Sequence, residues 1–545
     1  MKIRKSTYRP WPALAVLCLA NFLILLDTSV VNTAAPDLMR SLNTGIDGFL
    51  WILNGYLLAL GSLLVAFARL GDRCGPRRIF LVGLVTFTVA SVLCGIGQSS
   101  GQVVAARVLQ GIGAAAMLPQ ALTIIAGIFP ARRRGAAFGV FAAVAGIAAV
   151  SGPTLGGLLI TAQGWQWIFF LNVPIGLAGL LFGLRLVPEV RNGARHRFDA
   201  GGMVLATAGL VLMVYSLVEG ERYRWGTVAG WLTIPRLLIA SAVLLTAFVL
   251  WERRQPEPLL PLALFGNRAF TVATSITMIT SFALYGFLLV FVIETQTLLG
   301  MSPAMSGVTA LPWTLALSAV APVTGRLTDR VGGRPLLVGG LLFYALGVIG
   351  VATLPGAHAT AADFILPLIA LGIGMGAAIA PATTEALRDV PGPLAASASG
   401  VLNTARQLGG ALGAAVTGAV LQSRLATTLA AAAQHNAGQL PPGQRAPFVA
   451  GFIGAAQHGL QLGAGQHAGV QPPPGLPDDQ ADHFGRLVTD TFADAFLPAA
   501  RTTLFVVAGV LLAGALLAML LRPSHTRSPE TEPEQATADA ARHTP

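Results

Sequence analysis

Two charged residues stand where an apolar helix has no ordinary use for charge. Asp27 lies well inside the apolar run that starts near residue 11, and Arg107 lies near the outer end of another, where snorkelling to the interface is the alternative reading. An ionisable group in a membrane span costs about 2.5–3.5 kcal/mol on insertion scales, so it persists where it pairs, lines a pathway or relays protons. Asp27 can bind and release a proton, and Arg107, always charged, can exchange with that proton as the partner of the carboxylate. A permanent, idle Asp27–Arg107 ion pair is the competing reading. Arg107 shares a helical face with Gln110 and Gly111. Arg406 is a further charge within a span, and Glu294 closes another. Asn32, Gln110, Glu294 and Arg406 are therefore the candidate substrate-cavity residues. Glu219 and Glu385 also stand at span ends, where solvation accounts for them.

The elements that must hold these residues are dictated by composition. The chain has 545 residues, 54% of them hydrophobic and 11% charged, and a mean hydropathy of +0.68. A water-soluble globule carries about 25% charge. The apolar residues come in blocks of about 20, the length that crosses a bilayer core of about 30 Å. About fourteen such blocks can be traced, all helical, since irregular backbone is not tolerated against lipid. The net charge of +11 resides mostly in alternate short loops (Arg73, Arg77, Arg78; Arg132, Arg133, Arg134; Arg191, Arg195, Arg197; Arg326, Arg330, Arg334). That pattern sets membrane topology rather than nucleic-acid binding, and with Lys2, Arg4, Lys5 and Arg9 it puts both termini in the cytoplasm. The predominance of arginine over lysine, with abundant Ala, Gly and Pro, suggests a GC-rich bacterial genome, hence a multi-pass protein of the bacterial inner (plasma) membrane. Cys18, Cys74 and Cys94 have no metal-ligand spacing, so no metal site is expected.

The sequence divides into a cytoplasmic N-terminus (1–10), a first six-helix half (11–187), a linker with two extra helices (188–251), helices nine to thirteen (252–422), a long extracytoplasmic loop (423–496), a last helix (497–522) and a disordered cytoplasmic tail (523–545). The loop is rich in Ala, Gln, Gly and Pro and reads as solvated low complexity, and its end, 484–497, reads as a helix lying on the membrane surface. An internal repeat is visible: Ala68-Arg69-Leu70-Gly71-Asp72-Arg73-Cys74-Gly75-Pro76-Arg77-Arg78 is echoed by Gly325-Arg326-Leu327-Thr328-Asp329-Arg330-Val331-Gly332-Gly333-Arg334-Pro335. Duplicated halves with a site between them are a usual build of secondary transporters.

The repeated segment resembles the G-x-L-x-D-R-x-G-R-R signature of the major facilitator superfamily, with Ala68 in place of the first glycine. The resemblance implies an all-α membrane protein of the major facilitator fold: two pseudo-symmetric six-helix halves plus a two-helix central insertion. Asp72, Arg73, Gly75 and Arg77, with Asp329 and Arg330 in the repeat, would then gate the cytoplasmic side. Arg107-Val108-Leu109-Gln110-Gly111-Ile112-Gly113-Ala114 resembles the R-x-x-Q-G-x-G-A motif associated with proton transfer in drug:proton antiporters. Gly146 with Gly152-Pro153-Thr154-Leu155-Gly156-Gly157 resembles the antiporter signature g-x-x-x-G-P-x-x-G-G, where proline kinks the helix and glycines permit close approach. Leu26-Asp27-Thr28-Ser29-Val30-Val31-Asn32-Thr33-Ala34-Ala35-Pro36 resembles the L-D-x-T-V-V-N-x-A-L-P motif of fourteen-helix antiporters of the EmrB/QacA type. Trp165-Gln166-Trp167 through Gly176, with Gln166 for the usual arginine, and Asn403 through Gly410 are further matches. The Trp-rich element reads as an interfacial, structural one.

The resemblance implies a proton-coupled multidrug efflux antiporter, not an enzyme, that exports small lipophilic or cationic compounds by alternating access. A dedicated exporter of one metabolite or self-made antibiotic is the alternative, and a proton-coupled importer a more distant one. Its partners would be substrate, protons and membrane lipid, with no nucleic acid, and the monomer would be the working unit. No cofactor is expected: the only lysines, Lys2 and Lys5, precede the first span, so no phosphate-binding G-x-x-x-x-G-K-[ST] loop exists and ATP cannot drive the cycle by that route. A proton entering down the potential releases about 2.3 kcal/mol per 100 mV, enough to hold about a fifty-fold gradient of a neutral solute.

Overall fold

The computed structural model describes residues 10–190, 199–220, 223–255, 258, 262–354, 356, 359–388, 390, 395–458 and 478–521. The segment before Pro10, linker residues 191–198 and the tail from residue 522 lie outside the described residues. The first half contains α1 (Pro10–Thr33), the short α2 (Ala35–Ser41), α3 (Ile46–Cys74), α4 (Pro76–Ile96), α5 (Ser100–Ile128), α6 (Ala131–Gln163), and α7 (Trp167–Phe170) running into α8 (Asn172–Leu186). The insertion is α9 (Ala200–Glu219) and α10 (Ile234–Glu252), joined by an antiparallel hairpin, β1 (Thr227–Ala229) and β2 (Leu232–Thr233). This small hairpin, turning at Gly230 with φ of 53°, departs from the all-helical expectation. It lies between two spans rather than within one. The second half contains α11 (Arg268–Ile293), α12 (Pro303–Thr309), α13 (Leu311–Val331), α14 (Gly333–Ala352), α15 (Ile365–Arg388), α16 (Ala395–Ala437), α17 (Pro442–His458) and α18 (Asp478–Ala518).

Twelve candidate spans among the described residues are long and apolar enough to cross a membrane. The long Gly- and Ala-rich α6 and α16, outside those twelve, each stand fifth among the long helices of their half. Side-chain caps open several helices: Ser99, Asp199, Thr233, Asn267 and Ser302 each accept from a first-turn backbone N–H, satisfying donors the helix cannot.

The duplication inferred from the sequence is visible in the packing. α5 wedges between α3 and α4 as α15 wedges between α13 and α14, while α1 packs on α6 and α8 as α11 packs on α16 and α18. The close approaches repeat in detail. A Cβ on Gly111 would come within 2.5 Å of the Tyr56 carbonyl and one on Gly113 within 2.6 Å of the Phe87 nitrogen; Gly372 and Gly374 stand in the same way against the Trp313 carbonyl and the Tyr344 nitrogen. At the aligned loop positions Gly75 (φ 101°) and Gly332 (φ 80°) occupy the left-handed region that glycine adopts without penalty.

The halves meet along α3 and α16, where Gly61 faces Gln407 and Leu408 and Gly418 faces Leu50, and along α6 and α12, where Gly157 abuts the Pro303 carbonyl. α9 lies against both α3 and α16. Trp51 Nε1 donates to Glu219 Oε1 at 2.9 Å. Glu219 and Glu385 are both buried, contrary to the expectation of solvated span ends. Each carboxylate has found a donor: Glu385 accepts from the Gly333 N–H at 2.7 Å and pairs with Arg388 at 2.8 Å.

The described residues of 423–496, which are 423–458 and 478–496, are not the low-complexity loop expected. α16 continues to Ala437, α17 occupies Pro442–His458, and α18 begins at Asp478. At about 1.5 Å per residue both α16 and α18 exceed the roughly 30 Å of a bilayer core. Their projecting turns bury Leu425, Leu429, Ala433 and Ala437 against Phe484, Leu487, Val488, Phe492 and Phe496, with Phe448 and Phe452 of α17 added. These residues recur at three- and four-residue spacing, the signature of a helical face. Phe448 lies 5.0 Å from Phe452 and 5.3 Å from Phe484 between ring centroids. Asn436 Nδ2 donates to Thr491 Oγ1 at 3.0 Å and to Asp494 Oδ2 at 3.1 Å. The stretch 484–497 is thus the inner face of a folded cap rather than a separate surface helix.

Candidate functional site

Asp27 sits in the last third of α1, fully buried, with Arg107 at 1% exposure beside it. The close fit of α5 against α3 and α4 sets the geometry, because glycines at 111 and 113 let α5 approach near enough for its polar side chains to reach across. Arg107 Nη1 donates to Asp27 Oδ2. Asp27 Oδ1 accepts from Gln110 Nε2 and from Asn172 Nδ2, each at 2.9 Å. Gln110 also donates to Ser91 Oγ at 2.8 Å and accepts from Arg107 Nη1 at 2.6 Å. The guanidinium is held from its other side by the Ile52 carbonyl, which accepts from Nε at 3.1 Å, and by the Tyr56 ring, whose centroid lies 4.2 Å from Cζ. Charge-assisted bonds of this kind are the strong ones, and the low dielectric makes their completeness matter.

The second half serves as an internal control. Aligning the two halves by their glycine contacts puts Leu368 and Leu371 where α5 has Arg107 and Gln110, and Val348 where α4 has Ser91; all three are fully buried. α11 carries no charge between Arg268 and Glu294. The same packing thus forms around hydrocarbon. A buried ion pair is often no more stable than an apolar replacement of similar volume, so the fold does not account for the polar cluster in the first half.

Of the residues singled out from sequence, Asp27, Arg107 and Gln110 come together. Gln110 is a ligand of Asp27, fully buried, and not a cavity-facing contact. Asn32 lies beyond that network toward the α2 end; its amide donates to the Thr28 carbonyl at 3.3 Å and its Oδ1 has no partner among the described residues. Arg406 is half-buried on α16, one turn from Gly410, which packs against the Tyr285 ring. Tyr285 of α11 lies within electrostatic reach of Asp27 and Arg107 and of Arg406. Glu294 does not join this centre. It faces a cavity among α11, α14 and α18, inside the second half, which removes it from the substrate-cavity candidates.

Among the gating residues, Arg73 and Arg330 are exposed and Arg77 Nη2 donates to the Leu184 carbonyl at 2.5 Å. A Cβ on Gly75 would overlap the Glu189 carboxylate. The side chains of Asp72, Asp329 and Pro153, and the surroundings of Gly146, lie outside the described residues; α6 runs helical through residues 146 and 153. Gly152 and Gly156 pack on Ser29 and Val30 of α1, and Gly157 on Pro303.

Asn172, Ser91 and Tyr56 were not anticipated. Asn172 belongs to the Trp-rich element read as interfacial. The signal it offered was a lone amide between apolar residues at the start of a span.

Two related helical halves and a buried Asp27–Arg107 network in one of them define a membrane-embedded secondary transporter. Residues 17–414 match the Major Facilitator Superfamily, and the chain belongs to that superfamily. It is 33% identical over 537 residues to the tetracenomycin C resistance and export protein of Streptomyces glaucescens, covering 97% of this chain and 95% of that protein. It is 35% identical over 412 residues to the multidrug resistance protein Stp of Mycobacterium tuberculosis (strain CDC 1551 / Oshkosh), covering 75% and 76%. A bacterial homolog of the human lysosomal transporter Spinster, solved inward-facing and unoccupied, superposes with a TM-score of 0.61 at 15% identity over 94% of this chain and 98% of that one. That likeness is one of fold.

Proposed function

We propose that this chain is a proton-driven exporter of small lipophilic compounds, including antibiotics, in a bacterial inner membrane. The observation that carries the proposal is the Asp27 network: a carboxylate with three donors from two other helices, built where the paired half of the same protein uses leucine. The named roles of the tetracenomycin and Stp relatives support export of organic toxicants. On this reading Asp27 takes up a proton, its bond to Arg107 loosens, and the freed guanidinium redistributes toward Tyr285 and the space between the halves; Arg406 contributes a second cation there. Deprotonation restores the pair. On this reading the arginines flanking Gly75 and Gly332 mark that end of the bundle as cytoplasmic, as the positive-inside rule expects, and the α2 end and the helical cap face outward. The monomer suffices, because both halves are in one chain, and the proton-motive force is the energy source.

The test is reconstitution into proteoliposomes with an imposed proton gradient. Adding an exported dye should release protons from the protein's substrate-binding side, and a protonophore should stop uphill transport, whereas ATP should change nothing. Transport that persists at full rate without a proton gradient would sink the proposal.

A further inference from the structure

Glu294 is buried to 4% exposure and its carboxylate has no hydrogen-bond or ion-pair partner among the described residues. It borders a cavity of about 10 Å³ lined by Val351, Leu354, Leu497, Ala500, Arg501 and Leu504. That is room for about one water and no organic substrate. Arg501 is the only other charged lining residue; α14 and α11 present none there, and His358 lies outside the described residues. Arg501 is exposed and its Nη2 donates to the Leu354 carbonyl at 3.3 Å, which puts a cation at the mouth that discourages any cationic substrate.

The backbone under Glu294 is unusual. α11 ends in a single π-helical turn, Glu294–Leu298, a feature that tends to occur at functional sites. Its residues point three ways. Glu294 enters the cavity, Thr295 Oγ1 meets Ser306 Oγ of α12 at 2.7 Å, and Gln296 Nε2 crosses to the other half to donate to the Thr33 carbonyl at 2.9 Å. α12 also supplies Pro303, which abuts Gly157. One short turn therefore joins the carboxylate to two of the contacts between the halves at the α2 end.

We propose that Glu294 is a second proton-binding site, separate from Asp27 and reached from the extracytoplasmic water past Arg501, and that its protonation releases or restores the Gln296–Thr33 and Gly157–Pro303 contacts. An ionised carboxylate draws toward Arg501 and pulls on the π turn; a neutral one does not. The inference rests on the orientation and proton coupling proposed above.

The experiment uses the full chain in lipid nanodiscs, with exposed Cys74 replaced by Ser and spin labels on cysteines placed at Gln163 and Met305. Their separation is read by pulsed electron resonance from mildly acidic to mildly alkaline pH. The parent should show one pH-dependent change. Glu294→Gln should fix the low-pH distribution, Glu294→Asp should restore the transition, and Arg501→Gln should move its midpoint up by about one pH unit, since an adjacent cation favours the charged form. A Glu294→Gln protein that titrates like its parent overturns the inference. Asp27→Asn, measured in parallel, should keep the transition while losing proton-driven efflux; if it instead keeps efflux, the proposed function fails, whatever Glu294 does.

Discussion

Replacing Asp27 by Asn tests whether the buried pair carries protons or merely neutralises Arg107. Removing one partner of a buried ion pair costs about 3–5 kcal/mol, because the other charge is left uncompensated. Here Arg107 keeps the Ile52 carbonyl, the Gln110 oxygen and the Tyr56 ring. These contacts persist in the variant and keep the cation partly compensated, so the net loss should fall near the lower end, about 3 kcal/mol. The double variant Asp27→Asn/Arg107→Gln removes both charges and should regain most of that stability, since the second half folds with Leu368 and Leu371 at the aligned positions. Reversible unfolding in detergent gives the stabilities, and proteoliposome assays give uphill and downhill transport separately. The single variant should lose uphill efflux and retain some downhill flux; the double should recover stability but not uphill efflux. If the double recovers both, Asp27 is a structural counterion and the proton-coupling argument is refuted.

Three further outcomes are expected from the same structure. Asn172→Leu removes one of the two donors on Asp27 Oδ1; a bond to a charged group is worth about 1.5–3 kcal/mol, so unfolding in detergent should show a loss of that order and uphill efflux in proteoliposomes should fall. Phe448→Ala empties the centre of the cap, and a buried Phe-to-Ala change costs about 3–5 kcal/mol; limited proteolysis should then cut within 442–458 while the spans remain intact. Trp51→Phe keeps the ring but loses the bond to Glu219, and loosening of the insertion should show as faster hydrogen exchange in α9, with an expected loss of about 1–2 kcal/mol for leaving a buried carboxylate short of a donor.

The main lines of this architecture were open to inspection in the sequence because lipid imposes simple rules: span length, charge asymmetry between loops and the cost of a buried charge. Asp27 and Arg107 were conspicuous for that reason. What the sequence hid was direction. Asn172 and Asp27 are brought together only by the packing of α8 on α1 and α4, and nothing in the Trp-rich element distinguishes an interfacial amide from a buried donor. Glu294 was a candidate cavity residue by its place at a span end, and nothing in the sequence shows that it lines a small cavity with α14 and α18 inside the second half instead. The cap was concealed by composition: alanine-rich turns such as 430–433 resemble low complexity, and their apolar periodicity becomes decisive only beside the phenylalanines of α17 and α18.

The stretch of α1 from Asp27 to Thr33 ties these observations together, and it makes a last prediction. It spans about 9 Å of helix rise, with the proton-binding carboxylate at one end and, at the other, the Thr33 carbonyl that accepts from Gln296 across the halves. Between them Thr28 Oγ1 donates to the Ile24 carbonyl at 2.5 Å, Ser29 Oγ to Leu25 at 3.1 Å and Asn32 Nδ2 to Thr28 at 3.3 Å. Such back-bonds bend a helix by competing with its own ladder. Gly152 and Gly156 give this softened segment a smooth track on α6: a Cβ at 152 would lie 2.6 Å from Ser29 Cβ, and one at 156 would overlap Val30 Cγ2. Gly156→Ala should therefore obstruct the sliding of α1 more than it disturbs the resting fold. Overpacking costs about 1–3 kcal/mol, and where Val30 can yield in the resting state that cost falls on the moving one, slowing turnover by about tenfold per 1.4 kcal/mol with substrate affinity nearly unchanged. A Val30→Ala second substitution should restore the rate. Turnover that stays slow in the double variant would mean that Gly156 acts elsewhere and that α1 is not the element transmitting the proton's effect.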